Sequence, residues 1–203
     1  LFHVRRSEFV LAMVTAAGVI FVGVLQGIAI AAALSLANFV RRAWRPYSAA
    51  LGRIDGRKGY HDVARHPDAR QIPGLVLFRF DAPLFFANAE HFTTRVHELV
   101  DARAAHGDTV ERVVVAAEPI SDIDITAADE LDLLIDELHA RDCHIVFAEL
   151  KGTVKDRLTR YGLAEKIGDH GFPPTLGTAI DDYVAATGVE WVDWEDRPPP
   201  PPA

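Results

Sequence analysis

The sequence predicts an α/β fold, a mixed and mostly parallel β-sheet flanked by α-helices, preceded by two short transmembrane helices. Three observations predict it. Residues 9–40 contain no charged residue. Three apolar runs, LVLFRF (75–80), RVVVAA (112–117) and HIVFAEL (144–150), alternate with stretches whose apolar residues recur at helical spacing. Strands alternating with helices imply βα units and a parallel sheet. The charge is also divided. Of the net −8, the first 45 residues carry five arginines against one acid, +4, and the remainder −12.

The apolar segment comes first. A bilayer core needs about 20 apolar helical residues to cross it. Residues 9–40 exceed one crossing and fall short of two full ones. Gly23 and Gln26-Gly27 lie near the middle, where glycine weakens a helix and glutamine is costly in lipid. The break placed there gives helices of roughly 9–23 and 27–40. Arg5-Arg6 precede the segment and Arg41-Arg42 follow it. Cytoplasmic flanks collect Lys and Arg, so both ends are expected on the cytoplasmic side of an inner (plasma) membrane. That requires an even number of crossings or a re-entrant pair. A signal peptide is not expected, given the length of the apolar stretch and the lack of a cleavage pattern at its end. Ala29, Ala33 and Ala37 share one helical face, and Gly23 with Gly27 makes a GxxxG. Such faces let membrane helices approach closely. Neighbouring helices from an upstream part of the protein are therefore expected.

Arg41 to about Asp68 reads as an irregular connector with Pro46, Gly52, Gly56 and Gly59. The expected organisation is a transmembrane part (1–45), a connector (46–58), the α/β domain (59–187) and a flexible Pro-rich tail (188–203). LVLFRF is a near-continuous apolar strand, and PLFFANA (83–89) continues it as a second extended piece or turn. Phe92, Val96, Leu99 and Val100 predict an amphipathic helix over 90–104. RVVVAA is β-branched and apolar, the pattern of a buried central strand. Leu131, Leu134, Ile135 and Leu138 predict a helix over 127–140. HIVFAEL is a strand. A helix with Val154 and Leu158 follows, and a last one carries Leu176, Ile180, Tyr183 and Val184. The tail ends in PPPPP, which no helix accommodates.

The sharpest local signal is ISDIDITAADEL (120–131). It leaves the most apolar strand and opens a helix. Thr126 with Asp129 three residues on is an N-terminal capping pattern. Asp122 and Asp124 place carboxylates where the helix dipole favours negative charge. Functional loops of open α/β sheets lie at the carboxyl ends of strands, where this loop is expected. A cap alone would account for the same residues and contributes about 1 kcal/mol.

Several function classes find no support. There is no P-loop, GxGxxG or GxSxG, so no nucleotide-cofactor or hydrolase site is predicted, and no enzyme. Nine histidines, among them His61, His66, His91, His97 and His106, include no HExxH, and CxxC is absent. No metal site and no cofactor are expected. His91 and His97 are expected to face solvent. Cys143, the single cysteine, excludes an intrachain disulfide and reads as a small buried residue. The acidic body argues against nucleic acid as a partner.

Three stretches then carry a family resemblance: IPGLVLFRFDAPLFFANAEHF (72–92), DIDITAADEL (122–131) and GFPPTLGTAIDDYV (171–184). They resemble the cytoplasmic STAS domain of SulP-family anion permeases, the solute carrier 26 family. The segment 41–69 resembles that family's link between its last membrane helix and the STAS domain, and the apolar segment resembles its last two membrane helices. The resemblance implies a secondary-active transporter of an inorganic anion of the sulfate or bicarbonate type. It places the anion site on earlier half-helices, so this chain would be a C-terminal fragment without a substrate site. It implies as partners an upstream transmembrane domain of the same protein, the anion, membrane lipid and a homodimer.

STAS domains are also similar to bacterial anti-sigma factor antagonists, where a serine in a DSSG loop is phosphorylated. On that pattern Asp124 matches the aspartate, Ile125 the first serine and Thr126 the phosphorylated serine, while Ala127 replaces the glycine. Asp122, Asp124 and Thr126 are therefore the candidate regulatory or phosphorylation loop. A phosphate there would meet the carboxylates of Asp122, Asp124 and Asp129. The alternative function is a membrane-tethered STAS regulatory module that binds a protein partner and transports nothing.

Overall fold

The computed structural model describes Phe9, Met13 and residues 23–196. Phe9 and Met13 are helical. The remainder of the expected 9–23 helix, Arg5-Arg6 and the proline run lie outside the described residues. The chain divides into two compact units, Leu1–Arg45 and Pro46–Ala203.

In the first unit α1 spans Val24–Trp44. Its 21 residues rise about 32 Å, close to the thickness of a bilayer core. It starts earlier and ends later than the expected 27–40. The break falls on Gly23 alone, whose φ of 115° favours glycine. Gln26 and Gly27 lie inside the first turn, and the Gly27 amide donates to Gly23 O at 2.9 Å. Val24–Arg41 has a mean hydropathy of 1.5 and is long and apolar enough to cross a membrane. Leu25, Leu36 and Phe39 are all exposed. Arg41, Trp44 and Arg45 close the helix with the residue types that anchor at a membrane interface.

The second unit is a five-stranded mixed sheet between two helical layers. Its strands are β1 (Ser48–Arg53), β2 (Tyr60–Asp62), β3 (Leu75–Phe80), β4 (Arg112–Ala116) and β5 (His144–Ala148), in the order β2-β1-β3-β4-β5. β3, β4 and β5 are parallel, with Phe78 opposite Val115 and Val115 opposite Phe147. β1 is antiparallel to both its neighbours.

This corrects the connector. Ser48–Arg53 is not irregular but a full strand, pairing Ala50 with Phe78 and Gly52 with His61. SAALGR lacks β-branched and aromatic residues, so no local preference announces it. Its main chain is fixed by β3, and Ala49 and Leu51 are buried there.

Alternation along the central strands sends side chains to both layers. Val76, Phe78, Val113, Val115, Ile145 and Phe147 join one core, with α2 (Ala89–Ala105), α3 (Ile125–His139) and α4 (Gly152–Arg160). Leu75, Leu77, Val114, Ala116, Val146 and Ala148 join the other, with α6 (Leu176–Thr187). Val113, Val114 and Val115 have no solvent exposure, and each such side chain contributes roughly 1.5–3 kcal/mol. A five-residue helix, α5 (Leu163–Ile167), was not expected and inserts Leu163 into the first core.

α6 is locked to the start of β3. Tyr183 Oη donates to Pro73 O at 3.1 Å. Gly74 has a φ of 71°, and a Cβ there would lie 2.2 Å from Tyr183 Oη. Both the backbone and the space at 74 require glycine.

Candidate functional site

The loop between β4 and α3 is built by two tethers. Leu84 and Ile123 form an isolated parallel bridge. The Leu84 amide donates to Asp122 O at 3.0 Å, and the Asp124 amide donates to Leu84 O at 3.2 Å. The PLFFANA segment is thereby a turn docked beside the loop. Asn88, fully buried, holds it from within. Asn88 Oδ1 accepts the Phe85 amide at 3.0 Å and Nδ2 donates to Pro83 O at 2.9 Å.

Asp124 is the N-cap of α3, in place of the Thr126 expected from the capping pattern. Its Oδ1 accepts the Ala127 amide at 2.8 Å and its Oδ2 accepts the Phe86 amide at 2.9 Å. The helix begins at Ile125, earlier than the expected 127, so Thr126 sits inside its first turn with an exposed side chain. Asp122 is also exposed. Its Oδ1 accepts the Ile123 amide at 2.7 Å and pairs with Arg157 of α4. Arg157 Nη1 also donates to Ile123 O at 3.2 Å. The three predicted residues are therefore adjacent but have different tasks. Asp122 holds Arg157, Asp124 fastens two backbone amides, and Thr126 presents a hydroxyl to solvent.

Two large apolar side chains flank this loop in the open. Phe86 is 70% exposed and Ile125 is 62% exposed. Both Asp124 oxygens are committed to backbone amides, so that carboxylate serves geometry rather than proton transfer. The loop thus presents Phe86, Ile125 and a hydroxyl together at the surface. Asn88 and Arg157 escaped the sequence reading. Arg157 lies 35 residues from Asp122, beyond any local spacing rule.

Among the described residues the histidines meet only in pairs, His61 with His66 at 5.7 Å and His139 with His144 at 5.1 Å between ring centroids. His97 is not turned to solvent as expected: it lies between α2 and α3, with Nε2 2.8 Å from Glu137 Oε2 and Nδ1 buried. His91 is half-buried, its ring centroid 6.1 Å from that of Phe80. Among the described residues, no three of His, Cys, Asp and Glu gather to hold a metal ion. Cys143 is fully buried, and burial pushes its thiol up to about 11.

Comparison with known proteins places these features in context. The sequence profile described as the STAS domain matches residues 66–179. A probable sulfate transporter of Mycobacterium tuberculosis is 40% identical over 179 residues, which is 88% of this chain and 31% of that protein. The high affinity sulfate transporter 2 of Stylosanthes hamata is 29% identical over 194 residues, 93% of this chain and 29% of that protein. This chain thus spans about a third of the length of the curated relatives it matches. The murine Solute Carrier 26 family member A9 anion transporter, solved in an inward-facing state, superposes with a TM-score of 0.75. It is 17% identical, with 91% of this chain and 30% of that chain covered. At that identity the likeness establishes the fold.

Proposed function

The chain belongs to the STAS-domain family, and on that premise we propose that it is the STAS-bearing part of a secondary-active inorganic anion transporter of the sulfate type. The observation that carries the reading is the 40% identity to a probable sulfate transporter over 88% of this chain. That span cannot be confined to residues 66–179 and so reaches beyond the STAS match.

In this reading α1 crosses the plasma membrane as one of several helices. Its apolar side chains face lipid and the neighbouring helices of an upstream transmembrane domain. The basic residues at its end support a STAS domain on the cytoplasmic side. Residues 1–45 belong to the membrane part and the STAS unit takes up the chain from the connector onward. The STAS domain serves regulation or assembly, including a homodimer, and performs no enzymatic step. The anion binds outside this chain.

The loop of Asp122, Asp124 and Thr126 is the regulatory site of this reading. Asp124 keeps the loop in one geometry, Phe86 and Ile125 offer apolar contact, and Thr126 is the hydroxyl open to modification. Phosphate on Thr126 would sit near a helix N-terminus but among carboxylates, so it would unsettle the loop rather than stabilise it. Mass spectrometry of the native protein under varied growth conditions tests this. Thr126 unmodified throughout leaves only the contact surface.

The transport reading is tested by reconstituting, in liposomes, the polypeptide encoded by the whole reading frame that contains this chain. Sulfate or a related anion should enter under an imposed ion gradient. Absence of flux for sulfate, bicarbonate and dicarboxylates would overturn transport in favour of a tethered module with a protein partner.

A further inference from the structure

Among the described residues, the most deeply buried charge of the STAS unit lies far from the Asp124 loop. Arg53, at the end of β1, is 3% exposed. Its Nη1 donates to Gly59 O at 2.9 Å. The rest of its guanidinium is occupied by the C-terminal segment. Nε and Nη2 donate to Asp193 Oδ1 at 3.0 and 2.9 Å, and Nη2 donates to Glu195 Oε2 at 2.6 Å. The guanidinium carbon lies 5.2 Å from the Tyr60 ring centroid and 5.5 Å from that of Trp194. Beside it, Arg70 stacks on Trp191 at 4.6 Å and donates to Val192 O at 3.2 Å. Trp194 Nε1 donates to Arg57 O at 3.3 Å.

These contacts share a pattern. Residues 191, 193, 194 and 195 supply two aromatic rings and two carboxylates to two arginines. Among the described residues, the segment leaves α6 at Gly188, takes no strand in the sheet and forms a 3-10 turn at Trp194–Asp196. Arginine forks on carboxylates and arginine faces on aromatic rings fasten it. Beside the segment opens a cleft of about 520 Å³, walled by Tyr60, Ile180 and Val184 and by Trp191, Asp193 and Glu195 themselves. Burial opposes the Arg53 charge, and the hydrogen bonds to Asp193 and Glu195 outweigh it, so its pKa stands above the ordinary value. Without those carboxylates Arg53 would be an uncompensated buried cation.

We propose that the surface formed by Arg53, Tyr60 and Arg70 is a recognition site for an acidic–aromatic peptide, and that its resident occupant is the chain's own Trp191–Glu195. The C-terminal segment is then a displaceable strap, latched by two carboxylates on one arginine. Its release uncovers a cationic and aromatic surface on the β1–β2 hairpin. The inference stands on these contacts and holds whether or not the protein moves anions.

The test uses the complete chain in detergent, with Trp44→Phe so that emission reports Trp191 and Trp194 alone. Asp193→Asn combined with Glu195→Gln should raise acrylamide quenching of both tryptophans. A labelled peptide GVEWVDWED (188–196) should bind this double variant about tenfold or more tighter than the parent, whose arginines already hold their own segment. The same peptide with amides in place of its Asp193 and Glu195 equivalents should lose that affinity. A chain ending after Val189 guards against a folding defect of the double variant, and the acidic peptide should raise its Tm. Equal quenching in parent and double variant, equal binding of the peptide to both, equal binding of the neutral peptide, or no Tm gain would each overturn the proposal. So would a parent chain that exchanges its strap with a second copy, seen as a dimer that Arg53→Ala dissociates.

Discussion

The Asp124 carboxylate accepts the Phe86 amide at 2.9 Å, joining positions 38 apart in sequence. With its other oxygen on the Ala127 amide, one side chain starts α3 and aims the exposed Phe86.

Asp124→Ala should therefore cost about 1–2 kcal/mol, the value of a cap plus a loosened turn. Thr126→Ala should stay within about 0.5 kcal/mol, as an exposed site does. Urea denaturation of the two variants gives the comparison. A larger loss at Thr126 than at Asp124 would contradict the cap assignment.

Gly74→Ala should cost roughly 2–4 kcal/mol through overlap with Tyr183 Oη and through its positive φ. Tyr183→Phe removes the bond to Pro73 O and should cost about 1 kcal/mol. The double variant should be more stable than the sum of the singles, because losing the hydroxyl relieves the overlap. A double-mutant cycle on thermal unfolding measures that coupling.

Alkaline pH should weaken the fold. Burial raises the Cys143 thiol from 9.0 to about 11 and, with Asp193 adding to burial, the Tyr60 phenol from 10.0 to about 12. Both groups hold their protons longer when folded. Their contribution is complete below the unfolded values and is lost as pH rises through the folded ones. For Cys143 the decline between pH 9 and 11 amounts to roughly 2–3 kcal/mol. Cys143→Ala should remove that part of the slope and leave the later decline from Tyr60. Denaturation midpoints from pH 8 to 12 read both.

Ala33→Arg, near the middle of α1, should disfavour membrane insertion by about 2.5–3.5 kcal/mol. An insertion assay that scores the fraction of α1 spanning microsomal membranes checks it. An unchanged fraction would mean that α1 does not span.

What the sequence made legible follows periodicity. The runs of 75–80, 112–117 and 144–150 became β3, β4 and β5 because valine, isoleucine and phenylalanine announce buried strands. The helices at 89–105 and 125–139 followed from apolar spacing within a residue or two of expectation. β1 was illegible because alanine, leucine and glycine carry no strand preference and its order comes from β3. The cap was misplaced by one turn feature. Thr126 and Asp129 match a capping box, yet Asp124 lies in the extended backbone that a cap needs. The Arg53 cluster had no local trace, since Asp193 is 140 positions away.

That separation has a consequence for biosynthesis. Arg53 leaves the ribosome long before the carboxylates that neutralise it. At about 5–20 residues per second the delay is on the order of ten seconds. During it the nascent sheet can pair β1 with β3 while the guanidinium waits for counter-ions. The edge of the sheet therefore closes last, and a chain cut short before Asp193 leaves the Arg53 charge uncovered, which marks it as unfinished.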